Sequence, residues 1–241
     1  MTTHSFVLIH GAWHGAWCWE AVAALLTARG HRVDLVTQTG LGEKAHLITG
    51  DITLETFVTD VVEALEAGDH QNAVLVGHSF GGVAIMGAAE RATRRIRRLI
   101  CLDSLVVDGG QAPFDLFPED VVAERRRLAQ ESSGGVSMPV PEPSAFDVTD
   151  PAEGAWVARH LTPHPFGTYA TPLPVTGELG AGLPIDYIYC NGPLYRPAIA
   201  SHDKARQKGW RMHPLSTTHD AMITAPHALA EMLLEIADSP C

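Results

Sequence analysis

The sequence has few cysteines, and none of them is spaced for pairing or for binding metal. Its 241 residues include only Cys18, Cys101, Cys190 and Cys241, far apart and without a C-x-x-C pair. Structural zinc sites and disulfide frameworks need closer and more regular spacings. We therefore predict no metal site and no disulfide framework, and we expect a protein of the reducing cytoplasm.

Long apolar runs and an excess of positive charge are also missing. There is no run of 18 apolar residues, and the first residues, MTTHSFVLIH, lack a basic segment followed by an apolar one, so we expect neither membrane insertion nor export. The 17 lysines and arginines are outnumbered by 28 acidic residues, which gives a formal charge of −11. Nucleic-acid binding depends on clustered positive side chains, so this balance excludes nucleic acid as a partner.

The remaining composition is that of a soluble globular protein, and its pattern predicts an α/β fold. Hydrophobic residues make up 46% of the chain, enough to bury a core. Short apolar runs alternate with helical periodicity, which is typical of a mostly parallel sheet of about six strands with crossover helices. The predicted strands are 6–9, 32–37, 73–77, 98–102, 185–190 and 211–214. The predicted helices are 17–29, 54–66, 82–92, 199–207 and 226–237.

Residues 104–183 interrupt this alternation after the fourth strand. They are rich in proline and glycine, and helical patterns occur only near 118–131 and 151–160. A structureless loop of this length is implausible inside a compact domain. We therefore predict an inserted cap at 104–183 on a core formed by 1–103 and 184–241.

A candidate nucleophile lies between the third strand and its helix. Gly77-His78-Ser79-Phe80-Gly81 matches G-x-S-x-G, follows the apolar run AVLV and precedes a helical pattern. In that context the serine sits in a strained turn, and flanking glycines let the strand and helix approach each other. Ser79 is the predicted nucleophile; the alternative is an inert serine in a glycine-rich turn.

The predicted base is His219, in the loop after the last strand. Loops at the carboxyl ends of parallel strands converge on one edge of the sheet, so His219 can reach Ser79. The chain has 13 histidines. Several others are assigned to the surface or to helix caps: His31, His46, His70, His202 and His227.

The predicted acid is Asp103, at the carboxyl end of the fourth strand. The next strand, 185–190, ends in Cys190-Asn191-Gly192-Pro193 and offers no carboxylate there. The order Ser79, Asp103, His219 is the order that this architecture uses. Asp103 would orient His219 and stabilise its charged form. The alternatives are a helix-capping role for Asp103 and, as the acid, Asp108, Asp203 or Asp220.

The loop after the first strand predicts an oxyanion hole. In His10-Gly11-Ala12-Trp13-His14-Gly15 we expect the backbone N–H of Ala12, together with that of Phe80, to bind the developing oxyanion. The expected substrate-contacting residues are Gly11, Trp13, His14 and His78. Packing in the core is the favoured role for the tryptophans at 13, 17 and 19.

These residues together resemble the α/β-hydrolase superfamily, in the branch of plant methyl esterases, hydroxynitrile lyases and bacterial esterases. The resemblance rests on FVLIHGAWHGAWCW, LTARGHRVDLVTQTGLGEKAHL, VLVGHSFGGVAI and STTHDAM. It implies the three-layer α/β-hydrolase fold, Ser79 and His219 as nucleophile and base, and Ala12 and Phe80 as oxyanion donors. Bacterial members are similar in carrying an aspartate at the position of Asp103, whereas plant members carry the acid one strand later.

Two positions favour an esterase over a lyase within that branch. The lyases have threonine at the position of Gly11 and lysine at that of Asp220, and an aspartate cannot supply the cation that a cyanide leaving group needs. We predict a cofactor-free serine hydrolase, monomeric or homodimeric, acting on a small ester, lactone or thioester. A carbon–carbon lyase and a non-catalytic small-molecule binder are the alternatives. Aromatic residues of the cap would cover the site or form its own small core: Phe114, Phe117, Phe146, Trp156, Phe166 and Tyr169.

Overall fold

Strands and helices alternate along most of the chain. The computed structural model describes residues 3–240. The strands are β1 Ser5–Ile9, β2 Arg32–Val36, β3 Ala73–His78, β4 Ile96–Leu102, β5 Ser137–Met138, β6 His164–Pro165, β7 Ile185–Cys190 and β8 Arg211–Leu215. The helices are α1 Glu20–Ala28, α2 Leu54–Ala67, α3 Gly81–Ala92, α4 Glu119–Ser133, α5 Pro151–His160, α6 Phe166–Ala170, α7 Ile199–Gln207, α8 Ala221–Thr224 and α9 Pro226–Asp238.

The six longer strands are those that the sequence predicts, with ends shifted by two residues or fewer. The predicted helix at 17–29 begins later, because its first turn is a 3₁₀ helix over Ala16–Trp19. The elements that the sequence pattern did not predict are short: β5, β6, α6 and α8. Elements of two to five residues are too brief to show a hydrophobic period. In the part of the chain that is described, no helix is long and apolar enough to cross a membrane.

The six longer strands form one parallel sheet in the order β2-β1-β3-β4-β7-β8. This confirms the predicted parallel sheet. Both of its faces are covered. In β1, Val7 packs into an apolar layer with α2 and α3, whereas Phe6 and Leu8 pack into a second layer with α1 and α9. The alternation of side chains along one strand thus builds three layers.

The order of the strands also locates a binding crevice. From β1 the chain moves first to β2 on one side and later to β3 and β4 on the other. The loops after β1 and β3 therefore lead to opposite sides of the sheet and leave a gap between them. Such a topological switch point is where open α/β sheets bind their ligands.

Residues 104–183 connect β4 to β7 and contain α4, α5, α6 and the antiparallel pair of β5 and β6. A small apolar cluster of Phe146, Val148, Val157 and Leu161 packs against Trp13 and Trp17. The segment therefore lies over the loop that follows β1. Its division from the remainder as a separate cap stays a prediction.

Candidate active site

The register of the sheet brings the predicted site residues to one edge. In the pairing of β1 with β3, Ile9 lies opposite Gly77, and in that of β3 with β4, His78 lies opposite Leu102. Each strand then ends, so the residue after β3, Ser79, has the β1 loop on one side and Asp103 on the other. The carboxyl edge of the sheet is where residues distant in sequence can form one site.

Ser79 occupies a strained turn. Its φ is +50°, a left-handed conformation that non-glycine residues rarely adopt. Close packing maintains the turn: a Cβ on Gly77 would lie 2.7 Å from the backbone of Gly81, and one on Gly81 would lie 2.5 Å from the carbonyl oxygen of His10. The Ser79 N–H donates to the carbonyl of Leu102 at 2.9 Å. The side chain remains half-buried, at the first turn of α3.

Asp103 is fully buried and binds His219. The His219 Nδ1–H donates to Asp103 Oδ2 at 2.7 Å. The other carboxylate oxygen, Oδ1, accepts from His202 Nε2 at 2.7 Å and from the Cys190 N–H at 3.2 Å. Burial alone would raise the pKa of Asp103, but the hydrogen bonds from His202 and His219 outweigh it and hold that pKa well below its ordinary range. Asp103 is therefore a carboxylate with three donors.

His202 is a correction to the expectations from sequence. The sequence pattern assigns it to the surface or to a helix cap, yet it is 2% exposed and bound to Asp103. Its ring also lies against the rings of Tyr187 and Tyr189. The available signal was topological: His202 is in the first turn of α7, which follows β7 and so starts near the active edge. His31 and His70 are likewise buried rather than exposed.

The ring of His219 is confined on two sides. The Tyr195 ring stacks on it with centroids 3.7 Å apart and planes 19° apart, and the His78 ring lies 4.6 Å away. Because Nδ1 is bound to Asp103, Nε2 is the nitrogen left to exchange a proton with a reacting group. Within residues 3–240, neither this nitrogen nor Ser79 Oγ has a hydrogen-bond partner. Tyr195 belongs to none of the sequence motifs and was not predicted as a site residue.

None of the three alternative acids binds His219. Asp108 and Asp203 form ion pairs with basic side chains between residues 204 and 208. Asp220 is fully buried and accepts from His14 Nε2 at 3.0 Å. Burial lowers the pKa of His14 but Asp220 raises it by more, and His14 in turn lowers the pKa of Asp220. Asp220 and His14 thus form a buried charged pair.

The loop after β1 is held by histidines in defined tautomers. The His10 Nδ1–H donates to the Gly11 carbonyl at 2.8 Å, while His10 Nε2 accepts from the Gln38 N–H at 3.1 Å. Burial lowers the pKa of His10 to about 3, so the ring is neutral. The His14 Nδ1–H donates to the Ala12 carbonyl at 2.8 Å. Both carbonyls are thereby held by hydrogen bonds from histidine rings.

Two buried amides are left free at this edge. In the described structure the N–H groups of Ala12 and Phe80 donate to no other group, although Ala12 is 4% exposed and Phe80 is 0% exposed. Buried N–H groups in proteins are nearly always paired. Gly11 allows the close approach, since a Cβ there would lie 3.0 Å from Ser79 Cβ and 2.9 Å from His78 Nδ1. The pair of amides could bind an oxygen that carries negative charge.

The three tryptophans lie in different surroundings. Trp19 is buried in the core, and Trp17 stacks against His14 and contacts Trp156. Trp13 has a φ of +64°, and its N–H donates to His164 Nδ1 at 3.2 Å. The contact with the 104–183 segment therefore accompanies a strained backbone at Trp13, the residue after Ala12. Trp19 is fully buried in the core, whereas Trp13 and Trp17 are partly buried and pack against apolar clusters.

One trio of side chains in residues 3–240 could offer ligand atoms to a metal ion. These atoms of His78, His219 and Asp220 lie within 4.8 Å of one another. One nitrogen of each histidine is engaged, since His78 Nε2–H donates to the His219 carbonyl at 3.0 Å and His219 Nδ1 binds Asp103. His78 Nδ1 and Asp220 Oδ1 have no hydrogen-bond partner in the described structure. Burial lowers the pKa of His78 to about 3, so it is a neutral hydrogen-bonding residue at this edge.

Comparison with known proteins identifies the family. A sequence model described as "Alpha/beta hydrolase family" matches residues 6–232. The chain belongs to the alpha/beta hydrolase family. The predicted fold class and the predicted family are both confirmed.

Individual relatives agree with this assignment. The carbendazim hydrolyzing esterase of Nocardioides sp. (strain SG-4G) is 35% identical over 240 residues, which cover 95% of this chain and 98% of that protein. Methylesterase 9 of Arabidopsis thaliana is 27% identical and covers 97% of this chain and 98% of its own length. An extracellular alpha/beta-hydrolase from a Paenibacillus species superimposes with a TM-score of 0.80 at 26% identity, covering 98% of this chain and all of that one. The prediction of a carboxylic ester hydrolase is confirmed.

Proposed function

We propose that this alpha/beta hydrolase cleaves small esters through an acyl-enzyme formed on Ser79. The observation that carries the proposal is the 2.7 Å hydrogen bond from His219 Nδ1 to the buried carboxylate of Asp103, at the same edge as the strained turn of Ser79. That bond leaves His219 Nε2 as the proton acceptor. The free amides of Ala12 and Phe80 supply the oxyanion hole.

The reaction proceeds in two acyl transfers. Ser79 Oγ gives its proton to His219 Nε2 and attacks the carbonyl carbon, and the oxyanion that forms is bound by the amides of Ala12 and Phe80. His219 then protonates the departing alcohol, which leaves the acyl group on Ser79. Water, deprotonated by His219, attacks this ester and regenerates Ser79 with release of the acid. Asp103 fixes the tautomer of His219 and stabilises its charged form throughout.

The contact between Ser79 and His219 closes in the substrate complex. In unliganded enzymes catalytic hydrogen bonds are often long and tighten only when substrate is present. The absence of a Ser79–His219 bond from the described structure is consistent with that behaviour.

Methyl esters are the proposed substrates, with lactones and thioesters as chemically related candidates. The name of one relative, Methylesterase 9, supports the methyl ester, and the carbendazim hydrolyzing esterase supports ester hydrolysis in general. The four predicted substrate-contacting residues fall into two pairs with different positions. Gly11 and Trp13 belong to the loop beside Ser79, whereas His14 and His78 support that edge from behind through Asp220 and His219.

The lyase alternative fits the site less well. A threonine at position 11 would place its Cβ within 3.0 Å of the Ser79 and His78 side chains. Asp220 brings negative charge next to His219, where cyanide release needs a cation. A non-catalytic binder would have no use for a serine in a strained turn and an aspartate-bound histidine.

A fluorophosphonate probe tests the proposal. We expect the purified protein to be labelled at Ser79, and Ser79→Ala to lose both labelling and hydrolysis of p-nitrophenyl acetate. Mandelonitrile cleavage, measured in parallel, reports on lyase activity. Unlabelled Ser79, or an alanine variant as active as the wild type, would overturn the acyl-enzyme mechanism.

A further inference from the structure

Arg125 on α4 lacks the partners that its neighbour has. Arg127 binds Glu124 and Glu131 on the solvent side of α4. Arg125 has no carboxylate within 4.0 Å among residues 3–240. Its guanidinium carbon lies instead over aromatic rings, 4.6 Å from the centroid of Phe117, 5.5 Å from Tyr169 and 5.9 Å from Trp13.

These rings place Arg125 next to the candidate oxyanion hole. Trp13 directly follows Ala12 in the chain, and the Tyr169 ring lies 4.4 Å from the ring of Phe80. The two residues whose amides are free are thus each in contact with an aromatic ring that also contacts Arg125. The guanidinium of Arg125, which belongs to the 104–183 segment, therefore lies against aromatic rings that adjoin Ala12 and Phe80.

One nitrogen of this guanidinium has an unmet hydrogen-bonding requirement. Arg125 Nη1 is buried and has no hydrogen-bond partner in the described structure. The aromatic faces and the Tyr169 hydroxyl stabilise the positive charge, but they leave Nη1 without an oxygen acceptor. A buried donor without an acceptor is unfavourable, because it loses its hydrogen bond to water and gains none in return. An acceptor brought by a ligand would satisfy it.

We propose that Arg125 binds a carboxylate carried by the ester substrate, so that the preferred substrate is a monoester of a dicarboxylic acid with an apolar or aromatic spacer. The inference rests on the proposed function. Arginine presents a planar fork that matches a carboxylate, and such charge-assisted bonds are the strong ones. The rings of Trp13, Phe117 and Tyr169 then flank the spacer between Arg125 and the ester group at Ser79. A neutral diester has no carboxylate, so the Arg125 guanidinium contributes much less to its binding.

Paired substrates test the proposal. The kcat/KM values are measured for the monomethyl and the dimethyl ester of one aromatic dicarboxylic acid, with the wild type, Arg125→Met and Arg125→Lys. Methionine keeps the length needed to pack on the rings without the charge. Arg126→Met, at an exposed neighbouring position on α4, is the matched control.

The expected result is a selective loss. Arg125→Met should lower kcat/KM for the monoester roughly ten- to hundred-fold, mainly through KM, as removal of a charged hydrogen bond does. Its kcat/KM for the dimethyl ester should stay within about threefold of wild type. Arg125→Lys should retain part of the preference for the monoester over the dimethyl ester, and Arg126→Met should retain all of it. Equal losses for both esters would show that Arg125 only packs against the aromatic rings, and would overturn the proposal.

A binding measurement separates this proposal from the catalytic one. Calorimetric titration of the Ser79→Ala variant with the monomethyl ester measures binding without turnover. In the double variant Ser79→Ala, Arg125→Met, the affinity for the monomethyl ester should be lower by the same roughly ten- to hundred-fold factor that is expected for kcat/KM. Should Ser79 prove inert towards the fluorophosphonate while this difference in binding persists, the acyl-enzyme mechanism is wrong and the carboxylate site stands. Unchanged binding on adding Arg125→Met would refute the carboxylate site, whatever the chemistry at Ser79.

Discussion

His202 Nε2 lies 2.7 Å from Asp103 Oδ1, the carboxylate oxygen that His219 does not use. Asp103 is thus held between two imidazoles, both buried. A carboxylate with both oxygens engaged cannot rotate, so His202 fixes the direction in which Asp103 accepts from His219. Residues that orient a catalytic group in this way affect turnover without touching substrate.

Removal of His202 should therefore lower kcat. For His202→Ala we expect a loss of about tenfold with a small change in KM, because one charge-assisted hydrogen bond to Asp103 disappears. His202→Gln keeps a donor near the position of Nε2 and should recover part of the rate. His213→Ala is the control, since His213 on β8 forms a similar 2.7 Å contact with Asp186 on β7. A kcat for His202→Ala equal to wild type would exclude a positioning role.

Asp103→Asn should abolish most of the activity while the protein still folds. The amide cannot hold His219 in the required tautomer, and we expect kcat to fall by roughly 10³ or more. Far-ultraviolet circular dichroism checks the fold, and Asp108→Asn, at an exposed ion pair, is the control. A loss below about tenfold would assign the acid to another carboxylate.

The buried Asp103 should also make the protein sensitive to acid. Its pKa in the folded state is depressed below the ordinary carboxyl value of about 3.9. A carboxyl group with a depressed pKa stabilises the fold above its unfolded pKa and loses that contribution as the pH falls. Each pKa unit by which Asp103 is lowered contributes about 1.4 kcal/mol to the free energy of unfolding. Urea unfolding gives the free energy of unfolding at pH 7 and at pH 3. The decrease between these two pH values should be smaller for Asp103→Asn than for the wild type, by about 1 kcal/mol or more.

Gly11→Ala should impair catalysis more than folding. The added methyl would meet Ser79 Cβ at 3.0 Å and His78 Nδ1 at 2.9 Å, so the loop after β1 must shift away and carry the Ala12 amide with it. Displacing one oxyanion donor costs about 10²-fold in kcat. Gly50→Ala is the control, because a Cβ there meets nothing within 4 Å. Similar activities for the two variants would contradict the proposed oxyanion loop.

Asp220→Asn should destabilise the fold. The side chains of Asp220 and His14 are 0% and 1% exposed, and removing one charge leaves the other buried without its partner. Such a loss typically costs about 3–5 kcal/mol at neutral pH. Urea denaturation at pH 7 measures it. Stability close to that of the wild type would show that the His14–Asp220 pair is not charged in the folded protein.

The main features of the fold were predictable because they depend on local pattern. Runs such as AVLV alternate with helical periods along the chain, and the six longer strands and the parallel sheet followed from them. Ser79 was predictable for a similar reason: its strained turn requires glycines at fixed offsets, and Gly77 and Gly81 are spaced accordingly. Asp103 and His219 were placed by topology, since each follows a strand of the sheet.

Contacts between distant segments were harder to predict. His202, Tyr195 and Arg125 belong to no motif, and each acquires its environment from a residue far away in sequence: Asp103, His219 and Trp13, respectively. A helical position alone does not distinguish a buried histidine from an exposed one when the helix is as polar as α7.

Hydrophobic period and glycine spacing act over a few residues, so they were enough to predict the layered sheet, the turn that presents Ser79 and the neighbourhood of three candidate side chains. Only the packing of the folded chain shows that Asp103 is the carboxylate that meets His219, that His202 binds the same carboxylate, and that Arg125 of the 104–183 segment lies against the rings of Trp13 and Tyr169. Those relations depend on how strands and helices pack. Burial then fixes the charges: a carboxylate stays ionised inside a protein only where donors surround it, and Asp103 has three.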